Sequence, residues 1–150
     1  MKFNINQQEL QEALNYCQGV IEKRSTLPIL SNILLDARNS KLTITATDLD
    51  LIFLHEIDNI EIIEEGKTTT TSSIMYDIVR KFSSGKKINL NLTDISKLHL
   101  ESDKSIFNLN CISASEFPIT EENFDQNQFT IKSKQFLKLL NKCKFSVSND

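Results

Sequence analysis

The chain is poor in glycine, in cysteine and in long apolar runs, and each shortage removes a class of function. Only three glycines occur, Gly19, Gly66 and Gly85. Neither G-x-G-x-x-G nor G-x-x-x-x-G-K-[ST] can be assembled from them, which excludes the glycine loops that cradle nucleotide phosphates. Cys17, Cys111 and Cys143 are widely separated and odd in number, so they make no C-x-x-C pair and no disulfide framework. Each falls at an apolar-periodic position and reads as a small buried hydrophobe, which suits a reducing cytosol. No apolar run approaches the ~20 residues that cross a bilayer, and the opening MKFNINQQEL lacks a secretory h-region. The expectation is a cytoplasmic protein with no membrane partner. A net charge of −3 argues against a whole surface that grips nucleic acid, because such affinity comes from many phosphate-neutralising Lys and Arg.

What is present is an ordinary soluble composition, 39% apolar and 25% charged. The 150 residues allow one well-buried domain with a little left over. Phe3 and Ile5 alternate in a short strand. Asn6 then reads as an N-cap with Glu9 as its capping-box partner. Leu10, Ala13, Leu14, Cys17 and Val20 recur at helical spacing, which predicts an amphipathic helix over 7–21. A polar loop, 22–28, carries Lys23 and Arg24. Strands follow over 29–37, around Leu42, Ile44 and Ala46 after an Asn39-Ser40 turn, and along a β-favouring stretch at 51–63. Thr68–Thr71 is β-prone, and Ser72 or Ser73 is positioned to cap a second helix ending near Phe82, before Ser83-Ser84-Gly85. Short strands at 87–92, 97–101 and 105–111 complete the pattern, with Thr93-Asp94 and Ser102-Asp103 as turns. Two helices packed on largely antiparallel sheets predict an α+β domain over 1–120.

Residues 121–127 are polar, acidic and aperiodic, and read as a linker. Beyond it the opening strand and helix recur at an offset of 126 positions, the distance from Phe3 to Phe129. Ile5 matches Ile131, Leu10 matches Phe136, and Ala13, Leu14, Asn15 and Cys17 match Leu139, Leu140, Asn141 and Cys143. Residues 128–150 therefore read as the start of a second copy of the same fold.

Lys134, Lys138 and Lys142 are four apart and stack on one helical face opposite Phe136, Leu139 and Leu140. No Asp or Glu occurs from Gln128 to Val147. Such a positive stripe on an acidic protein is the footprint of phosphate-backbone contact, and also that of a merely solvated face. Arg24, Arg80 and Lys81 are further basic candidates. Ile74, Ile78 and Phe82 are likewise four apart, with Met75 and Val79 on a second ridge that can face the core. A helix apolar on more than one side is buried or covered by a partner. Phe107, Leu109 and Cys111 share one face of their strand.

For catalysis the material is thin. Asp48 and Asp50 on one face of a strand, followed by His55, superficially suggest a metal-dependent hydrolase. The other histidine, His99, completes no cluster, and neither a G-x-S-x-G elbow nor a Cys–His signature appears. No cofactor, metal or catalytic group is expected. A protein-interaction scaffold without DNA binding is the other rival reading.

Several stretches together resemble the bacterial DNA polymerase III β subunit family, the sliding clamps. They are the opening MKFNI with its helix, Arg24-Ser-Thr-Leu-Pro-Ile-Leu30, Leu42-Thr-Ile-Thr-Ala-Thr-Asp-Leu49, Tyr76-Asp-Ile78, SASEFP at 113–118 and Phe145-Ser-Val-Ser-Asn-Asp150. The resemblance runs in order over the whole chain. It implies a DNA-clamp fold, three tandem domains per subunit, and a head-to-tail homodimer closing a six-domain ring with helices lining the hole. It implies that Arg24, Arg80, Lys134, Lys138, Lys142 and Asn149 face double-stranded DNA without regard to sequence. Ile74, Ile78, Phe82, Lys104, Phe107 and Leu109 would lie where the first domain meets the other subunit. The replicative polymerase and clamp loader would dock on later domains, and the protein itself would do no chemistry.

Overall fold

A computed structural model describes residues 1–21, 27–118 and 130–147. The chain divides into two compact units, Met1–Ile119 and Thr120–Asp150.

The first unit begins with β1 (Lys2–Asn6) and runs directly into α1 (Gln7–Cys17). Asn6 caps that helix as its sequence position suggests, its side-chain oxygen accepting the Gln8 amide at 2.8 Å. Its apolar positions Leu10, Ala13, Leu14 and Cys17 are all fully buried. The helix is shorter than its periodicity predicts. Val20 and Ile21 close instead in a turn, donating to the Cys17 carbonyl.

The strands are β2 (Asn32–Arg38), β3 (Lys41–Thr47), β4 (Ile52–Ile57), β5 (Glu61–Glu64), β6 (Gly66–Thr71), β7 (Lys87–Asp94), β8 (Lys97–Ser102) and β9 (Ser105–Ile112). Together with β1 they form a nine-stranded sheet of order β4-β3-β2-β6-β9-β8-β7-β1-β5. Every described pairing is antiparallel. Asn39 and Ser40, both at positive φ, make the predicted tight turn from β2 to β3. The continuous β-favouring run at 51–63 is two strands rather than one. It breaks at Asp58–Ile60, where Asn59 takes φ +59° and the Ile60 amide donates to the Ser40 carbonyl.

Helix α2 (Ser72–Val79) follows β6 without a loop. Its N-cap is Thr71, one residue before the predicted serines, and Ser72 is buried where its hydroxyl accepts from Gln18 Nε2 at 2.8 Å. Met75 and Val79 are fully buried, as the second apolar ridge suggests. With α1 they cover inward residues of β1, β2, β3, β7 and β8, among them Phe3, Ile33, Leu35, Ile44, Leu90 and Leu100. Leu30, Leu34 and Phe117 are buried outside this main cluster, which gives the Phe of the SASEFP stretch a structural role. Gly66 has a steric one. A Cβ there would lie 2.9 Å from Met1 Cβ, closer than side chains pack.

The second unit contains one α-helix among its described residues, α3 (Ser133–Cys143), followed by a short 3-10 turn. None of its described residues is buried.

Candidate functional site: a basic helix, an open strand edge and a polar groove

Helix α3 has the geometry its spacing predicts. Lys134, Lys138 and Lys142 sit one turn apart on an exposed helix. Among the described residues none of them has a carboxylate partner. Lys142 lies in the last turn, where the helix dipole favours a cation. Phe136, Leu139 and Leu140 are each about half exposed. Arg24 and Asn149, the other two basic or polar candidates outside the helices, lie outside the described residues. So does the linker at 121–127.

Arg80 is exposed at the end of α2. Its guanidinium is 3.0 Å from Asp77 Oδ1 and 5.8 Å from the Tyr76 ring centroid. Ion pair and ring hold the guanidinium in place while most of its five donors stay available.

The apolar strip on α2 and β9 is partly brought together. Phe82 meets Phe107 edge-on, ring centroids 5.7 Å apart. Ile74 is half exposed, Ile78 partly buried and Lys104 exposed. Leu109 is spent in the core, at 7% exposure. Its cross-strand partner Leu98 points inward and carries it along. Ile106 was not anticipated, yet it is 57% exposed beside Phe107. Strand β9 pairs with β8 from Ser105 to Asn110 and with β6 only at Thr69↔Ile112 and Thr70↔Cys111. Over residues 105–109 no described strand pairs with the side of β9 away from β8, which leaves an open edge with apolar neighbours, the arrangement that accepts another strand.

The possible metal set does not assemble. Residues 48–50 form a turn, not a strand, and Asp48 Oδ1 accepts the amides of Asp50 and Leu51 at 3.1 and 2.7 Å. That carboxylate organises its own loop. His55 lies instead on β4, stacked on Phe53 at 6.2 Å and tilted against Tyr16 at 6.0 Å. Among the described residues no three His, Cys, Asp or Glu side chains could hold an ion together.

Of the cysteines, Cys17 is buried, Cys111 half-buried and Cys143 exposed. Desolvation pushes the Cys17 thiol up to about 12 and raises Cys111 as well. Cys143 corrects the expectation of three buried thiols: it lies on a helix whose described residues are all exposed.

A feature that spacing does not reveal lies between α1 and α2. Gln7, Gln8, Gln11, Glu12, Asn15 and Arg80 are among the residues lining an open groove of about 430 Å³. Glu12 stands on its rim and accepts from the Tyr16 hydroxyl at 3.1 Å, an interaction that raises the Tyr16 pKa. No helix among the described residues is long and apolar enough to cross a membrane.

Two helices over an antiparallel nine-stranded sheet, with an open strand edge and a separate basic helix, define a clamp-type α+β domain. Comparison with known proteins makes this specific. The family described as DNA polymerase III beta subunit, N-terminal domain, matches residues 1–121. The beta sliding clamp of Caulobacter vibrioides (strain NA1000 / CB15N) is 33% identical over 100% of this chain, and that of Proteus mirabilis 31% over 99%. In each case the match covers 40% of the relative. Among solved structures, the Caulobacter crescentus pol III beta has a TM-score of 0.93 at 33% identity, covering 100% of this chain and 40% of the other. The Pseudomonas aeruginosa DNA polymerase III subunit beta has 0.93 at 28%, with coverages of 100% and 41%. The chain belongs to the DNA polymerase III β subunit family, the bacterial sliding clamps. It spans about 40% of the length of these relatives.

Proposed function

We propose that this chain forms the front part of a sliding-clamp subunit, which encircles duplex DNA and tethers the replicative polymerase without catalysing a reaction. The observation that carries this is the likeness to sliding clamps over the entire chain, at 33% identity and a TM-score of 0.93. On this reading residues 1–120 are the first clamp domain, 121–127 a linker and 128–150 the start of the second. The equal length of α1 and α3 and their spacing of 126 positions support it.

The physics of a clamp differs from that of a tight binder. A closed ring stays on circular DNA whatever the strength of each contact. A few cations around the hole, here Lys134, Lys138, Lys142, Arg80, Arg24 and the neighbouring Asn149, then supply attraction to phosphates that is independent of sequence and weakened by salt. A net charge of −3 limits adhesion to DNA elsewhere on the surface. Tethering raises the local concentration of template for the polymerase, which is processivity without chemistry. The ring closes head to tail, with Ile74, Ile78, Phe82, Lys104 and Phe107, joined by Ile106, meeting the other subunit beside the open edge of β9. The polymerase and clamp loader bind elsewhere on the complete protein, in the cytoplasm.

Sedimentation of the complete protein tests the ring. A homodimer is expected, and the Ile74→Lys/Phe107→Lys double variant is expected to run as a folded monomer and to lose stimulation of processive synthesis. A double variant that remains dimeric would contradict this placement of the interface.

A further inference from the structure

The interface proposed above draws on two elements, α2 with Ile74 and Ile78 and β9 with Ile106 and Phe107. Their alignment is held from both ends of α2. At the far end Phe82 meets Phe107 edge-on. At the near end the sheet itself offers little, because β9 leaves β8 and joins β6 through only Thr69↔Ile112 and Thr70↔Cys111. A relay of side chains reinforces that joint, and its direction follows from chemistry alone. Thr69 Oγ1 lies 2.8 Å from the Ile112 carbonyl oxygen, which can only accept, so the hydroxyl donates there. The Asn32 side chain lies 3.2 Å from the same hydroxyl. With the Thr69 proton already placed, Asn32 must present its NH2 there and turn its oxygen to Thr71, 3.1 Å away. The relay therefore runs from Thr71 to Asn32 to Thr69 to the backbone of β9. Thr70 Oγ1 adds a second clasp, donating to the Asn110 carbonyl at 3.2 Å.

Two features set this relay apart from ordinary surface bonding. Asn32 is 3% exposed and Thr69 fully buried, so water does not compete for these bonds. Thr71 is the N-cap of α2, yet its side chain makes no capping bond. A threonine there ordinarily accepts an amide of the first turn, whereas this hydroxyl serves Asn32. A local rule set aside in this way marks a residue with another task.

We infer that Asn32 is a positioning residue of the subunit interface, a buried amide that aligns β9 with the start of α2. The inference rests on the interface placement proposed above and goes beyond it by assigning a residue outside the contact itself. The physical reason lies in the period of a strand. Two residue pairs hold the joint, and a slip of one residue there would turn Phe107 to the other face. A free subunit lacking the relay spreads over several placements of β9, and its affinity falls by the fraction that is competent to bind.

The test is the dimer dissociation constant of the complete protein, read by fluorescence-detected sedimentation well below the melting temperature of every variant. Thr69→Val and Thr71→Val keep the side-chain shape and remove the hydroxyls at the two ends of the relay. Asn32→Ala removes its centre. Each should weaken an interface about fivefold, the size of one net hydrogen bond. A head-to-tail ring dimer has two such interfaces, so the dissociation constant should rise about 25-fold. Thr69→Ser keeps the hydroxyl and should retain wild-type affinity. Leu14→Ala, which loosens the core away from the relay, should also dimerise as the wild type does. If Thr69→Val or Asn32→Ala does not fold, Thr71→Val still decides, since Thr71 is only partly buried. Wild-type affinity in Thr71→Val, with Ile74→Lys/Phe107→Lys monomeric, would overturn this inference and leave the interface standing. An equal loss in Leu14→Ala or in Thr69→Ser would also overturn it, since general stability or packing would then be the cause. A dimeric Ile74→Lys/Phe107→Lys variant would remove the interface placement, and this inference with it.

Discussion

Helices α1 and α3 are the same length, eleven residues, and start 126 positions apart, yet they differ in burial and in charge. In α1 the apolar residues Leu10, Ala13, Leu14 and Cys17 are sealed in a core. Their counterparts at the same offset, Phe136, Leu139, Leu140 and Cys143, are exposed. On the polar side, Gln8, Glu12 and Tyr16 of α1 fall where α3 has Lys134, Lys138 and Lys142. Apolar spacing specifies that a helix forms and which face it will bury. Whether the face is buried depends on strands elsewhere in the chain. The polar face is free to diverge, because charges on a solvated surface cost the fold little. On the clamp reading the two helices divide the work. Helix α3 is proposed to meet DNA through a lysine stripe that α1 lacks.

The comparison can be broken first through stability. Leu14→Ala should cost about 3 kcal/mol, as expected for a cavity in a packed core. The counterpart substitution Leu140→Ala in this 150-residue chain should cost less than about 0.5 kcal/mol. Urea denaturation measures both, and equal losses would mean that α3 is sealed as α1 is.

The next effect is electrostatic. Replacing Lys134, Lys138 and Lys142 together by Gln should reduce the salt slope of duplex binding by about 2.7 if all three meet phosphates. Glu12→Gln should strengthen binding by removing a negative charge from the groove rim. A slope unchanged in the triple variant would make the stripe mere solvated surface.

Thiol chemistry sharpens the same contrast. An aromatic disulfide reagent should modify Cys143 quickly in the folded chain at mildly alkaline pH and leave Cys17 untouched until unfolding. Because burial raises Cys17 from 9.0 to about 12, the folded state holds its proton over a range where the unfolded state gives it up. The stability this contributes is fully present below about pH 9 and is lost as pH rises from there toward 12. In Cys17→Ala that part of the alkaline decline should flatten in a series of urea titrations. A steric change is expected at Gly66. Alanine there should cost about 1–2 kcal/mol in the same assay, because its Cβ presses on Met1.

Much of the fold was legible in the sequence, and the misses have physical causes. Helix α1 and its cap declared themselves by period and by Asn6, and the Asn39-Ser40 turn by its residue types. The split of 51–63 into β4 and β5 did not, because the break holds neither Gly nor Pro; a single Asn at positive φ makes it. Leu109 looked like interface because strand alternation puts it on the same face as Phe107, and alternation cannot tell how far along a strand the core extends. The α1–α2 groove was invisible for another reason. The orientation of Gln11 is set by Gln7, and that of Gln7 by the carbonyl of Val79, 72 positions away. The lysine stripe was legible because it is local, four residues at a time. What it touches is not a property of the helix alone.

The central claim is that binding is topological, and one measurement addresses it directly. The complete protein is loaded by its clamp loader onto nicked circular DNA at moderate salt, and retention is followed before and after the circle is cut. Retention on the circle with rapid loss from the linear form is the predicted result. Equal retention on both would mean ordinary surface binding and would contradict the ring.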